Sequence, residues 1–94
     1  MSVEPKPRRV KSGNSIILQF KDNYFMRVKS NPEKGITLIL DLKKQVWILM
    51  WSKDVGLVYR RAAEGQARSL INTGYSNGEG AREGRGLPLE LVGA

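Results

Sequence analysis

The sequence predicts an α+β fold: a four-stranded antiparallel β-meander, five-stranded if Leu57 to Arg61 adds a strand, with one C-terminal helix packed on one face. Three observations predict it. Between Ser15 and Trp51 four short runs alternate their side chains with the period of two that a strand requires. After Trp51 the apolar pattern recurs about every four residues, as one stripe of a helix does. Turn-forming clusters at Lys21 to Asn23, Ser30 to Gly35 and Lys43 to Gln45 separate the runs.

Residues 1–13, MSVEPKPRRVKSG, precede the first run. Pro5 and Pro7 oppose a helix, and Lys6, Arg8, Arg9 and Lys11 make the segment a flexible basic arm of the kind that tracks a phosphate backbone. The α+β domain is expected over 14–73. In its first hairpin Lys21-Asp22-Asn23 is read as a three-residue connector, which places Phe20 opposite Tyr24. Asn31-Pro32 and Gly35 part the second and third strands, and Lys43 to Gln45 form another three-residue link.

With odd loops throughout, one sheet face collects Ile16, Leu18, Phe20, Tyr24, Met26, Val28, Ile36, Leu38, Leu40, Leu42, Val46, Ile48 and Met50 as the core. The other face then mixes rings and cations: Ile17 and Gln19, then Phe25, Arg27 and Lys29, then Thr37, Ile39, Asp41 and Lys43, then Trp47, Leu49 and Trp51. Asp41 is expected to pair with Lys43 or Arg27 on that face.

The helix is expected to turn Val58, Tyr59, Ala62, Ala63, Gln66, Ala67, Leu70 and Ile71 toward the sheet. Ser52 or Asp54 would cap its start, Asn72 and Gly74 would end it, and Arg60, Glu64 and Arg68 would line its outer face. Residues 74–94 form a glycine-rich flexible tail, GYSNGEGAREGRG, followed by an apolar segment, Leu87 to Val92, that is free or adds to a sheet edge of its own or a neighbouring subunit.

Composition narrows function mainly by exclusion. The 94 residues contain neither cysteine nor histidine, which removes disulfide frameworks, zinc-finger spacings and imidazole or thiol catalysis. The carboxylates fall mostly in turns and tails, where burial does not shift their pKa, so no enzyme activity, metal or cofactor is expected. No apolar run is long enough to span a bilayer, and the expected setting is soluble and cytoplasmic, without a membrane partner. Sixteen Lys and Arg against nine Asp and Glu give a net charge of +7, which favours polyanions through counterion release.

The function these features predict is binding of nucleic acid, DNA or RNA, with single strands favoured. Phe25, Trp47 and Trp51 would stack bases while Arg27, Lys29 and Lys43 contact phosphates. Arg82 and Arg85, set among glycines, would add weaker contacts. A homodimer through the same face is expected, because so many large apolar groups exceed what monomers usually expose. The rival reading is a protein-interaction module, a small regulator or inhibitor of viral or mobile-element type, whose Trp-rich face docks on an acidic protein partner. Four strands followed by a helix, with an aromatic and basic sheet, is similar in architecture to single-strand-binding coactivator and Whirly-type modules. That resemblance is of element order alone and carries no residue roles.

Overall fold

The structure, a computed structural model, describes residues 15–76 and 82–93. It is an α+β fold built on a mixed five-stranded sheet in the order β2-β1-β3-β4-β7. Strands β1 (Ser15–Lys21), β2 (Tyr24–Arg27), β3 (Ile36–Asp41) and β4 (Val46–Trp51) are mutually antiparallel where they pair, and β7 (Leu89–Gly93) lies parallel to β4. Helix α1 (Leu57–Thr73) covers one sheet face, and a two-stranded ribbon of β5 (Tyr75–Ser76) and β6 (Arg82–Glu83) follows it. No helix among the described residues is long and apolar enough to cross a membrane.

The strand order departs from a simple meander because β3 pairs with β1 and leaves β2 at the edge. The first turn explains how β2 sits there. Asp22 and Asn23 both take positive φ, 54° and 67°. That is the type I′ geometry which short polar side chains tolerate and which closes a two-residue hairpin. Lys21 therefore faces Tyr24 and Phe20 faces Phe25, in place of the expected Phe20 to Tyr24 pair.

The β1–β2 turn is thus one residue shorter than the sequence implied, and the β3–β4 connection is one residue longer, because Asp41 faces Val46 across Leu42 to Gln45. Among the described residues Asp41 makes no ion pair. Its Oδ1 accepts the backbone N–H groups of Lys43 and Lys44, each at 3.0 Å, while Gln45, at φ 59°, donates its N–H to the Asp41 carbonyl at 2.8 Å. This is the turn chemistry that favours Asp at a loop entrance. Asp41→Ala should lower stability by about 1 kcal/mol, with Asp41→Asn retaining part of it, as read from urea midpoints.

Each one-residue change reverses the parity of a strand, so β2 and β4 present the opposite faces from those expected. The core gathers Ile16, Leu18 and Phe20 with Ile36, Leu38 and Leu40, as expected, but its β4 members are Trp47 and Leu49. Phe25 and Trp51 pack against this cluster. Tyr24 and Met26 are instead exposed, at 69% and 55%. Helix α1 contributes Ala63, Ala67 and Ile71 to the same core, and Val58, expected inward, is 84% exposed. The buried stripe is rotated by one position, and small alanines at its centre let the helix lie close to the sheet.

Leu57 to Arg61 is helical, so the fifth strand comes from the C-terminus. Gly56 occupies the N-cap position without a side-chain hydrogen bond, and Gly74, with φ 83°, ends the helix and donates its N–H to the Leu70 carbonyl. Ser52 and Asp54, expected as caps, are used elsewhere. The Ser52 hydroxyl accepts the Gly35 N–H at 2.9 Å and donates to the Asp54 carboxylate, tying the β2–β3 connection to the end of β4. That hydroxyl is the main reason the Asp54 carboxyl is held below its ordinary value.

Candidate nucleic-acid interface

The aromatic and cationic face expected from the sequence is divided between two sides of the sheet. Phe25, Arg27, Trp47, Leu49 and Trp51 lie on the helix side, opposite Phe20, Leu18, Leu40, Leu38 and Ile36 in turn. Ile17, Gln19, Thr37, Ile39 and Asp41 occupy the other side. No stacking platform is formed.

Trp47 is fully buried. Its indole N–H donates to the Gly84 carbonyl at 2.8 Å, and its backbone N–H donates to the Pro88 carbonyl at 2.9 Å. The segment that was expected to be a flexible tail therefore returns over the indole. Gly86 N–H to the Ile71 carbonyl, 2.9 Å, fastens the same segment to the helix end. Trp51 is half-buried, with the Arg60 guanidinium carbon 4.8 Å from the ring centroid and Gly93 against its other atoms. Phe25 lies 4.9 Å from the Phe20 ring, also half-buried. Trp47 is sealed from any base, and the other two rings are largely committed to contacts within the chain. The docking of an acidic protein on a Trp-rich face loses its surface for the same reason.

The cations fare differently. Arg27, Lys29, Lys43, Arg82 and Arg85 are all exposed, whereas Lys6, Arg8, Arg9 and Lys11 lie outside the described residues. Strand directions decide which of them meet. β1 and β4 both run antiparallel to β3, and β7 runs parallel to β4, so β1, β4 and β7 all begin at one end of the sheet. The segments leading into them are the basic arm, the Lys43-Lys44 turn and the loop that carries Arg82 and Arg85.

Among the described residues that end carries Lys43, Lys44, Arg82 and Arg85 against Asp41 and Glu83, and in the sequence Lys6, Arg8, Arg9 and Lys11 precede β1. The opposite end, where β1 and β4 finish and β3 starts, carries Lys21, Lys34 and Lys53 with Asp22, Glu33 and Asp54, and Arg60 at the start of the helix stands over Trp51 there. Arg27 lies on the β2 edge opposite Leu18, and because β2 runs antiparallel to β1 the chain continues through Lys29 toward the end where β1 begins.

Arg82 and Arg85 also have a local role. Both side chains flank Gly74, and Arg82 Nη1 donates to the Gly74 carbonyl at 3.2 Å. Cations at the carbonyl end of a helix are favoured by its dipole. A guanidinium has five N–H donors, so this one bond leaves most of the fork available. On the helix, Arg68 pairs with Glu64 at 2.9 Å.

A shallow cleft of about 210 Å³ lies between Asn31 to Glu33 and Met50 on the open side of the sheet. Glu33 is its one ionisable lining group. Among the described residues no three Asp or Glu side chains come together as metal ligands. Lys44 is the site candidate that the sequence reading passed over; the doubled lysine at a turn was its signal. Comparison with family models, curated proteins and solved structures finds no match to this chain.

Proposed function

We propose that this chain is a small basic nucleic-acid-binding protein that holds the phosphate backbone at the end of the sheet where β1, β4 and β7 begin. The observation that carries the proposal is that β1, β4 and β7 begin at one end of the sheet and that the sequence before each of them is basic. Lysine and arginine at such an end displace condensed counterions from a polyanion, and the entropy of their release drives association. The role of the fold is to hold the Lys43-Lys44 turn and the Arg82 and Arg85 loop on a rigid frame, one fixed by Asp41 and the other by Trp47.

Base stacking on Trp47 is no part of this mechanism. Among the described residues the basic end consists of exposed lysine and arginine side chains suited to phosphate contacts, so affinity should follow charge and length more than sequence. The test is fluorescence anisotropy of labelled 20-nucleotide single strands and duplexes against the full chain, repeated across salt concentrations. The affinity should fall steeply with salt. Lys43→Glu with Lys44→Glu should weaken binding at least about tenfold and flatten the salt slope on duplex by about 2, since each phosphate contact contributes roughly 0.9. Lys21→Glu with Lys34→Glu, the same charge change at the opposite end, should have a much smaller effect. Equal losses from both pairs, or no binding at low salt, would refute the proposal.

A further inference from the structure

Among the described residues the C-terminal strand ends the sheet with an unpaired edge, and we infer that it is the dimer interface: β7 pairs antiparallel with β7 of a second copy of this chain, about a two-fold axis at Leu91. Trp47 donates its N–H to Pro88, and the parallel alignment places Trp47 beside Leu89 and Leu49 beside Leu91. In a parallel ladder the bonding residues of a strand alternate. Pro88, Glu90 and Val92 thus turn their backbone groups toward β4, and Leu89, Leu91 and Gly93 turn theirs outward. Three N–H and three C=O groups of each copy are presented at this edge.

The two edges of the sheet are unequal. β2 has four residues and ends in Arg27, with Lys21 at the turn before it and Lys29 just after. Charged, short edges are how sheets avoid pairing with one another. β7 has five residues, no lysine, arginine or internal proline, and its Leu91 and Val92 are 46% and 43% exposed.

The occupant that fits is a second copy. An antiparallel pair centred on Leu91 sets Leu91 against itself, Leu89 against Gly93 and Glu90 against Val92. The Leu91–Leu91 and Leu89–Gly93 pairs are the hydrogen-bonded type and the Glu90–Val92 pairs between them the non-hydrogen-bonded type, so all six outward groups of each strand find partners. The register also keeps the two Glu90 carboxylates from facing each other, and joins Leu91 to Leu91 on the helix side. The remaining segments of the chain match this edge poorly. The 1–14 segment carries four cations and two prolines that lack an N–H, and 77–81 is Asn-Gly-Glu-Gly-Ala.

The inference stands apart from nucleic-acid binding and is tested without it. The wild-type chain at tens of micromolar should sediment as a dimer. Leu91→Lys should sediment as a monomer with its far-UV circular dichroism unchanged, because Leu91 is outside the buried core. Since the chain has no cysteine, Leu91→Cys supplies a single thiol. Its oxidation should give a covalent dimer in native buffer, as the Cα separation of about 5.5 Å in a hydrogen-bonded pair lies within disulfide reach. A monomeric wild type, a dimer that survives Leu91→Lys, or a folded Leu91→Cys chain that does not cross-link would each overturn the inference.

Discussion

Replacing Trp47 by alanine will destabilise the fold by about 3–5 kcal/mol, the range for removing a large aromatic from a core. The indole is fully buried among Leu40, Leu49 and the helix, and its N–H holds the Gly84 carbonyl at 2.8 Å. Losing it leaves a cavity and an orphaned carbonyl together, and it frees the loop that leads into β7. A domain of this size has roughly 5–14 kcal/mol in total. The variant should therefore be partly unfolded or nearly so at 37 °C. Urea titration followed by far-UV circular dichroism will measure the loss. Trp51→Ala, at a half-buried ring, should cost clearly less. If Trp47→Ala kept the wild-type midpoint, the indole would be a surface group and the face assignment of β4 would fail. On the sequence alone the opposite outcome is expected, a folded protein with weakened ligand binding, so the experiment separates the two placements directly.

That reversal has a compact physical origin. The alternation within β1 and β3 is legible from residue types, and both strands present the faces expected of them. What alternation leaves undefined is how one strand is phased against the next, because phase resides in the turns. Composition groups Lys21 with Asp22-Asn23 as a three-residue turn, whereas two adjacent side chains that tolerate positive φ are the signature of a two-residue hairpin. Alternation makes Asp41 a strand residue available for an ion pair, whereas an Asp two and three positions before the N–H groups of Lys43 and Lys44 makes a turn of its own. One residue in each loop was enough to carry Phe25, Trp47 and Trp51 across the sheet.

The candidate site was legible in pieces. The arm, Lys43 and the arginine-glycine loop each stand out as basic segments, but that the last two lead into strands from the same end depends on β7 running parallel to β4, and a parallel pairing between distant segments leaves no local mark. The rotation of α1 has a similar cause. Alanines lie on both sides of the expected stripe, so Ala62 with Gln66 and Ala63 with Ala67 are nearly equivalent as sequence patterns. Ile71 and Leu70, the larger groups, tip the choice only when the sheet is present.

Gly84 provides the second large effect. Its φ is +72°, a region L side chains rarely adopt, and a Cβ built there would stand 2.6 Å from Trp47 Nε1 and 2.7 Å from its Cζ2. The ring cannot retreat, because its far side is already packed and its N–H is bonded to the same glycine. Gly84→Ala should combine a conformational penalty of about 1–2 kcal/mol with an overlap penalty of about 1–3 kcal/mol. Gly86→Ala is the internal control. Gly86 has almost the same φ, +73°, yet nothing lies within 4 Å of its Cβ position, so it should show the conformational part alone. The difference between the two urea-derived stabilities isolates the collision with the indole. Trp47→Phe in the Gly84→Ala background shortens the ring and should recover part of that difference, a non-additive coupling of about 1 kcal/mol or more. Equal losses at Gly84 and Gly86, with additive behaviour at Trp47, would mean that the loop does not close over the ring.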